Sequence, residues 1–581
     1  MKAPEVAGVL HEISMLLEVV GGDPFRAKAY ANAARRIEAS GADLEELAAA
    51  GKLTTLPGVG AGIAGVIGEI VATGTSSLYE RLAAETPIGL YDLMRIKGLG
   101  PKRVRTLYAE LGIDSLDALE KAAAAGKLHD LPNFGARTTQ KILESVAFAR
   151  AARGRRRLYA ALEVAERLLE WLETLGTVTK SSVAGEVRRD LEVVECVDLV
   201  AAAKDPAAVL SAFRALSGAA PTGPGRENYA EIRFSDGLRA TLVAVEPKAF
   251  ATALLYATGS GKHLRELESR AEGMGMRLAA DGLWRGDKRV ATRDERAVYK
   301  ALGLDFVEPE LREGWGEVEA AANGSLPDLV EVGDLQGTFH CHTSYSDGRA
   351  TVDEMGEATR ARGWRYLGIA DHSQSAGYAG GLPPARVRAQ QADIDRWNRE
   401  RGGKGKQRVR LFKGVESDIL TDGSLDYDDD VLKSFDYVVG SVHSAFGIGE
   451  KAMTDRLLKA VGNPRLTILG HATGRLLLRR GGYEVDVKAV IDAAAEHGVC
   501  VEINADPARL DVDWRWARYA AQQGVLVPID PDAHSTDSLD YVQWGVRVAR
   551  KAWLAPRNVL NTFDLEEVED FFAARKQGRP P

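Results

Sequence analysis

The sequence has little cysteine. Cys196, Cys341 and Cys500 are the only three in 581 residues, far apart and with no CxxC pair. A structural zinc finger is thereby excluded, and a reducing compartment is expected. Long apolar runs are missing too, so no membrane span is expected. The opening stretch MKAPEVAGVLHEISMLLEVVGG is amphipathic, contains acids and has no cleavage site after an apolar run, so it does not read as a signal peptide. Net basic charge is also absent: 75 Lys and Arg against 83 Asp and Glu leave −8. That argues against wholesale coating of nucleic acid and leaves local basic patches open. The 45% hydrophobic content is ordinary for globular domains, and the length suits about four of them.

Histidine is scarce as well, with ten residues, and its placement carries the most information. In GTFHCHTSYSDG, Thr338 to His342 alternates like a short strand ending in His340 and His342, with Asp347 beyond. On a regular strand, residues i and i+2 project to one side, so both imidazoles reach one point. Further on come Asp371 and His372, Glu416 and Asp418, His443, His471, Glu502 and Asn504, then Asp532 and His534, each ending a short apolar run. Such runs form buried parallel strands. Helical stretches, among them Thr351 to Arg362 and Val487 to His497, separate them. Strand, polar residue and helix, repeated about seven times, describe a β/α barrel with its chemistry at the carboxyl ends of the strands. Six of the ten histidines stand there.

These residues resemble the polymerase-and-histidinol-phosphatase (PHP) domain, a distorted (β/α)7 barrel with a trinuclear metal centre. The resemblance spans residues 336–575 and implies nine ligands. His340, His342, Glu416 and Asp532 would hold one ion. Glu416 would bridge to a second with His443 and His471. Asp347, His372 and His534 would hold the third. Glu416 and His443 are the expected catalytic positions. Mixed nitrogen and carboxylate ligation suits Mn²⁺ or Zn²⁺ better than Mg²⁺, and clustered ions suit phosphoester hydrolysis.

Towards the N-terminus, residues 5–20 have helical apolar spacing, and Asp23 and Pro24 start a second helix carrying Arg26, Lys28, Arg35 and Arg36. Three fragments then repeat: LPGVGAGIA, IKGLGPKRV and LPNFGARTT. Each reads as a helix-hairpin-helix. Gly58, Gly60, Gly98, Gly100 and Gly135 permit tight turns and close approach to a phosphate backbone, and Asn133 tolerates a left-handed turn. Lys97, Lys102, Arg103 and Arg105 add charge to the second copy. Three copies favour non-specific binding to the DNA backbone. GAGIAG in residues 60–65 matches GxGxxG but follows no strand, so no dinucleotide site is expected. GSGKH in residues 259–263 falls short of a P-loop.

The region up to Glu317 resembles family X DNA polymerases through FRAKAY, the hairpins, LLYATGSGKH, DGLW and VEPELREGWGE. That resemblance implies an α/β nucleotidyltransferase palm and a thumb. It also implies a Gly-Ser-x-Arg-Arg grip on a triphosphate and three aspartates holding two ions. Gly185, Arg188 and Arg189 match the grip, with Glu186 in place of serine. Asp198 matches one aspartate, while Cys196 and Thr241 stand at the other two. Glu195 is adjacent but on a regular strand faces the other side. Leu264 replaces the family's Asn, and Val66 stands at the lyase lysine. Mg²⁺-dependent synthesis is therefore expected to be weak or lost, with Mn²⁺ the better rescuer.

The expected layout is multidomain. Helical DNA-binding segments cover residues 1–84 and 85–148, the palm 149–248, the thumb 249–318, a linker 319–335 and the PHP barrel 336–575. The expected function is DNA repair: binding of gapped or primer-template DNA with metal-dependent 3′→5′ exonuclease trimming, in the cytoplasm with the nucleoid. Nucleotides are further candidate ligands. Two other readings stay open: a phosphomonoesterase acting on a small molecule, and a non-catalytic DNA-binding scaffold.

Overall fold

In a computed structural model, residues 3–40, 44–94, 96, 98–132, 134–152, 154–216, 218–226, 228–234 and 237–577 are described. Asn133 and Lys97, expected to act in the hairpins, lie outside them. The chain divides into two compact units, Met1–Arg153 and Gly154–Pro581.

The first unit is helical among its described residues. The helix Ala3–Val19 packs Val6, Leu10, Ile13 and Leu17 against Tyr30, Ile37, Ile67 and Ile70. Asp23 starts the helix Pro24–Ser40, its carboxylate accepting the Phe25 N–H at 2.9 Å. Two hairpins turn at Gly58 (φ 79°) and Gly98 (φ 90°), where a Cβ would be strained. Gly60 and Gly100 then cap the helices Ala61–Thr73 and Pro101–Leu111 with extended backbone and no side-chain cap. The first N–H groups of Ala61–Thr73 are thus left for an outside acceptor; in the second helix Pro101 has none and the Arg103 N–H donates to Gly100 O at 2.9 Å, which leaves that of Lys102. Arg36 lies across Gly58, where a Cβ would meet its guanidinium at 2.8 Å. Arg103 departs from the expected free cation: it folds back to donate to Gly98 O at 2.6 Å. Lys102 is exposed, and Gly135 precedes the helix Ala136–Ala152.

The second unit begins with a five-stranded sheet. Val178–Ala184 pairs antiparallel with Cys196–Ala203, which runs parallel to Arg239–Val245; Tyr229–Phe234 and Ala219–Arg226 follow. The helices Leu158–Thr174 and Pro206–Arg214 cover one face. Next comes a helical segment with a small antiparallel sheet, Arg277–Ala279, Gly282–Arg285 and Lys288–Val290. The stretch expected as a linker is packed instead. Glu317–Asn323 is a helix, Leu326 and Leu329 pack on the core around Tyr299, and the Val330 N–H donates to Leu554 O at 3.0 Å. Apolar side chains at 318, 321, 326 and 329 outweigh the Gly, Ser and Pro that suggested a break.

The barrel follows. Gly337–Cys341, Tyr366–Ile369 and Arg410–Lys413 are parallel neighbours. Glu416–Asp418, Val439–Ser441, Ile468–Leu469 and Cys500–Val501 form a second parallel run, and Ile503–Asn504 pairs with Ile529–Asp530. A parallel bridge between Cys341 and Ala533 closes the ring. The first strand is not the regular one the alternation suggested. Its register slips between Thr338 and Cys341, and His340 has φ 51°. A bulge, rather than i, i+2 alternation, aims the two histidines.

Barrel, palm and thumb share buried polar contacts. Lys551, 1% exposed, ends the helix Val542–Lys551 and donates to Arg189 O at 2.9 Å and to Glu313 at 2.7 Å. Replacing it with methionine takes this donor from Arg189 O and Glu310 O and leaves Glu313 with Arg189 alone. A loss of about 3 kcal/mol is expected, read as a lower unfolding temperature of the full chain by calorimetry.

Candidate metal centre

All nine expected ligands converge at one end of the barrel. Glu416 is the hub. Its Oε1 lies 3.3, 3.2 and 3.0 Å from ring nitrogens of His340, His443 and His471. Its Oε2 lies 2.9 and 3.7 Å from His372 and His342. Asp347 Oδ1 sits 3.6 Å from His372 and 3.3 Å from His534, and Asp532 Oδ1 sits 3.1 Å from His342. Four overlapping groups with ion-sized spacing result: His342, Asp347, His372 and His534; His340, His471 and Asp532; His340, His342 and Glu416; His372, Glu416 and His443. The grouping is more shared than the implied partition, since His342 also faces Asp347 and His372 also faces Glu416.

The donor set fits divalent ions. His340 Nε2, both nitrogens of His342, His372 Nδ1, His471 Nδ1 and Glu416 Oε2 are buried without a hydrogen-bond partner. Buried polar atoms are rarely left so, and a cation would satisfy them. His340, His471 and Asp532 also take positive φ values of 51°, 25° and 52°. Such backbone costs about 1–3 kcal/mol per residue and is found where side chains must be aimed.

A supporting layer orients the ligands. Glu502 places Oε1 2.5 Å from His340 Nδ1 and accepts the His471 N–H at 2.6 Å. Asp418 lies 2.6 Å from His443 Nδ1, and Asn504 donates to Asp532 at 3.1 Å. Asp371 is drawn aside by Thr343, Ser346 and Gln390, so it holds a loop rather than an ion. Carboxylates behind ligand imidazoles fix tautomer and basicity. One cation was not foreseen: Arg509 Nε lies 3.6 Å from Asp532 Oδ2. It sits in a loop after Ile503–Asn504, and no pattern in the sequence marks it.

Charge is tightly linked here. Burial alone would raise the Glu416 carboxyl, but His443, His372 and His340 hold it well below the ordinary carboxylate range. Burial opposes protonation of His372, yet Glu416 and Asp347 lift it to about 10. By the same balance His443 rises to about 9 through Glu416 and Asp418, and His534 to about 9 through Asp347 and Asp532. His342 falls to about 4 through burial and the neighbouring His534 and His372. Raised histidines stabilise the metal-free fold fully below their unfolded value near 6.5, and that stability is lost as pH climbs through about 9 to 10. Metal needs them neutral, so loading at pH 7 should release protons, and affinity should rise with pH over the same window. Titration calorimetry in buffers of different ionisation enthalpy checks this; heats independent of buffer would contradict it.

The palm shows no comparable cluster among the described residues. Asp198 pairs in register with Thr241, whose hydroxyl donates to Asp198 Oδ1 at 2.6 Å. Cys196 is buried two residues earlier, and Glu195 turns away to ion-pair with Arg155. Gly185 backs onto Asp198. Arg188 is held by Thr258 at 2.7 Å and by both oxygens of Glu295, and Arg189 by Glu313 at 3.0 Å. The two arginines expected to grip a nucleotide are thus committed to carboxylates of the thumb. Glu186 accepts the Glu195 N–H at 2.6 Å.

Comparison with known proteins follows the same layout. Family profiles match a helix-hairpin-helix domain over residues 1–76, a SAM-like helix-hairpin-helix tandem over 90–147, a DNA polymerase beta thumb over 253–313 and a PHP domain over 338–506. The DNA polymerase/3'-5' exonuclease PolX of Bacillus subtilis (strain 168) is 34% identical over 579 residues, covering 98% of this chain and 99% of that protein. The chain belongs to the PolX family. The barrel of this PolX-family chain also resembles smaller proteins. A probable phosphatase from Vibrio atlanticus (strain LGP32) is 29% identical over 213 residues, 35% of this chain and 79% of that protein. One from Thermoanaerobacter pseudethanolicus is 27% identical over 179 residues, 29% of this chain and 70% of that protein. Helix-hairpin-helix segments and a polymerase thumb make DNA the partner of a PolX-family chain, and the PHP barrel makes divalent metal its cofactor.

Proposed function

We propose that this protein trims DNA from 3′ ends by metal-dependent phosphodiester hydrolysis in its barrel, in the service of DNA repair. The observation that carries the reading is the convergence of six histidines and three carboxylates on unpartnered buried nitrogens, in a chain with helix-hairpin-helix turns. Bound divalent ions supply a hydroxide nucleophile at neutral pH and neutralise the phosphate. The chain's residues do the rest. Glu416 sets the spacing of the groups, Glu502 and Asp418 fix the imidazoles of His340 and His443, and Asp532 anchors His342. Nitrogen-rich ligation favours Mn²⁺ or Zn²⁺ over Mg²⁺. Gly58, Gly60, Gly98, Gly100, Gly135 and Lys102 hold the duplex backbone, while Arg103 braces its own hairpin. The setting is cytoplasmic, at the nucleoid.

The fused DNA-binding segments favour DNA over a small phosphomonoester. Purified protein should shorten 5′-labelled DNA in Mn²⁺ and turn over histidinol phosphate at least about a hundred-fold more slowly, the discrimination expected when remote binding energy is used. Faster release of phosphate from histidinol phosphate would overturn the reading. Polymerase activity is proposed to be weak and Mn²⁺-dependent, because two of three palm carboxylates are missing.

A further inference from the structure

An exposed aromatic ring borders one of the ion-sized groups of the metal centre. Tyr378 is 72% exposed and buries little of itself in the fold. A lone exposed ring means little on its own; the position of this one carries the argument. Its centroid lies 6.1 Å from that of His372 and 6.2 Å from that of His443, inclined to them at 60° and 71°. Those two imidazoles and Glu416 make up one of the four groups. The ring therefore stands beside an ion position and turns most of its surface to solvent.

The loop that carries it is held at many points. Residues 373–381 read SQSAGYAGG, with Tyr378 the only aromatic side chain. Ala376 and Ala379 are buried and anchor the short 3-10 turn Gly377–Ala379. The Ala379 and Gly381 N–H groups both donate to Ala376 O, at 2.9 and 3.1 Å, and the Leu382 N–H returns to His372 O at 2.9 Å. A Cβ at Gly381 would run into Ser373 O, so the two ends of the loop touch. Ser375 ties the loop to the centre. Its hydroxyl donates at 2.9 Å to Asp418, the carboxylate behind His443, and its N–H donates to Asp426 at 2.7 Å. Both signs of charge surround the ring: Arg386 donates to Gly380 O at 3.5 Å and to Tyr345 O, and Arg509 pairs with Asp532. Charge therefore does not decide what the ring takes. A fixed aromatic face beside an ion group does.

We infer that Tyr378 makes the barrel a nucleotide site rather than a general phosphoesterase: one of the two nucleotides joined by the phosphate under hydrolysis stacks its base on this ring. The inference rests on the nuclease reading above. A nucleotide sets a planar base one sugar away from its phosphate, so a phosphate over the ion group brings a base to the ring. Stacking of this kind tolerates any base, because every base has a π-face. A phosphate ester with no base so placed leaves the ring empty and loses that share of binding.

The test pairs the side chain with the base. The full chain loaded with Mn²⁺ is given three 5′-labelled single-stranded oligonucleotides. One is complete, one has a tetrahydrofuran residue in place of its 3′-terminal nucleoside, and one has it at the next position. Each of the last two lacks one of the two bases beside the scissile phosphate. In the parent, one of them should show a kcat/KM about ten-fold below that of the complete strand, the worth of one stacked base. In Tyr378→Ala that difference should vanish, with the complete strand falling to the level of the base-less one, and Tyr378→Phe should keep it. Comparing the ratios isolates the pair from any general effect of the substitution. A parent that cuts all three alike overturns the inference, and so does a preference that survives in Tyr378→Ala. An equal loss on all three substrates would make Tyr378 a support of the centre and overturns it as well. If the parent cuts none of the three, the nuclease reading fails first; if it cuts them and the missing base makes no difference, the base contact alone is lost.

Discussion

Glu416→Ala should abolish DNA trimming, by about a thousand-fold or more, while leaving DNA affinity within about two-fold of the parent. The reason is its position. Five imidazoles lie within 3.7 Å of its two oxygens, and it belongs to two of the four ion-sized groups. Without it those groups lose the anion that offsets the charge of adjacent ions, and ion–ion repulsion is no longer compensated. Glu416→Gln keeps the volume and removes the charge, so it should fail almost as completely, which separates electrostatics from packing. His443→Ala removes a ligand from one group only and should retain more metal than either. The helix-hairpin-helix turns proposed to hold DNA lie in a different compact unit. Metal content by mass spectrometry and trimming of labelled DNA read the outcome. A Glu416→Ala protein that trims at the parent rate would sink the assignment of the barrel as the nuclease.

Much of the centre was legible because its ligands end apolar runs, and a parallel barrel projects strand ends to one place. The strand ends marked the candidates, and the resemblance to the PHP domain picked the nine ligands from among them, with Asp347 added. How they are aimed could not be read. Positive φ at His340, His471 and Asp532 leaves no mark in the local sequence. Asp371 and Asp418 have equal status in the sequence, yet one is drawn to Thr343 and Gln390 while the other backs His443. Arg509 left no trace because a loop arginine looks like any solvated charge. Residues 319–335 misled for the opposite reason. Gly, Ser and Pro mark turns, but Ala321, Leu326 and Leu329 pack on the core around Tyr299, and that burial outweighs them.

Cys196→Asp combined with Thr241→Asp should raise Mg²⁺-dependent primer extension by the palm about two to three orders of magnitude above the parent, the worth of well-placed charge at a reacting phosphate. The register supports both substitutions. Cys196 pairs with Arg239 and Asp198 with Thr241 on the parallel neighbour, so carboxylates at 196, 198 and 241 would share one face. In the parent, Thr241 instead satisfies Asp198 by a 2.6 Å hydrogen bond, and the buried Cys196 thiol is pushed well up by burial and by Asp198, so it offers no thiolate. Three close carboxylates without a cation repel one another. The double variant should therefore melt lower than the parent in chelator and recover in Mg²⁺, a readout independent of catalysis. Mg²⁺-dependent recovery without extension would move the defect to the nucleotide grip. There Arg188 and Arg189 are held by Glu295 and Glu313, and Glu313→Gln is the next substitution to add. Neither recovery nor faster extension would mean that the missing carboxylates are not what limits this palm.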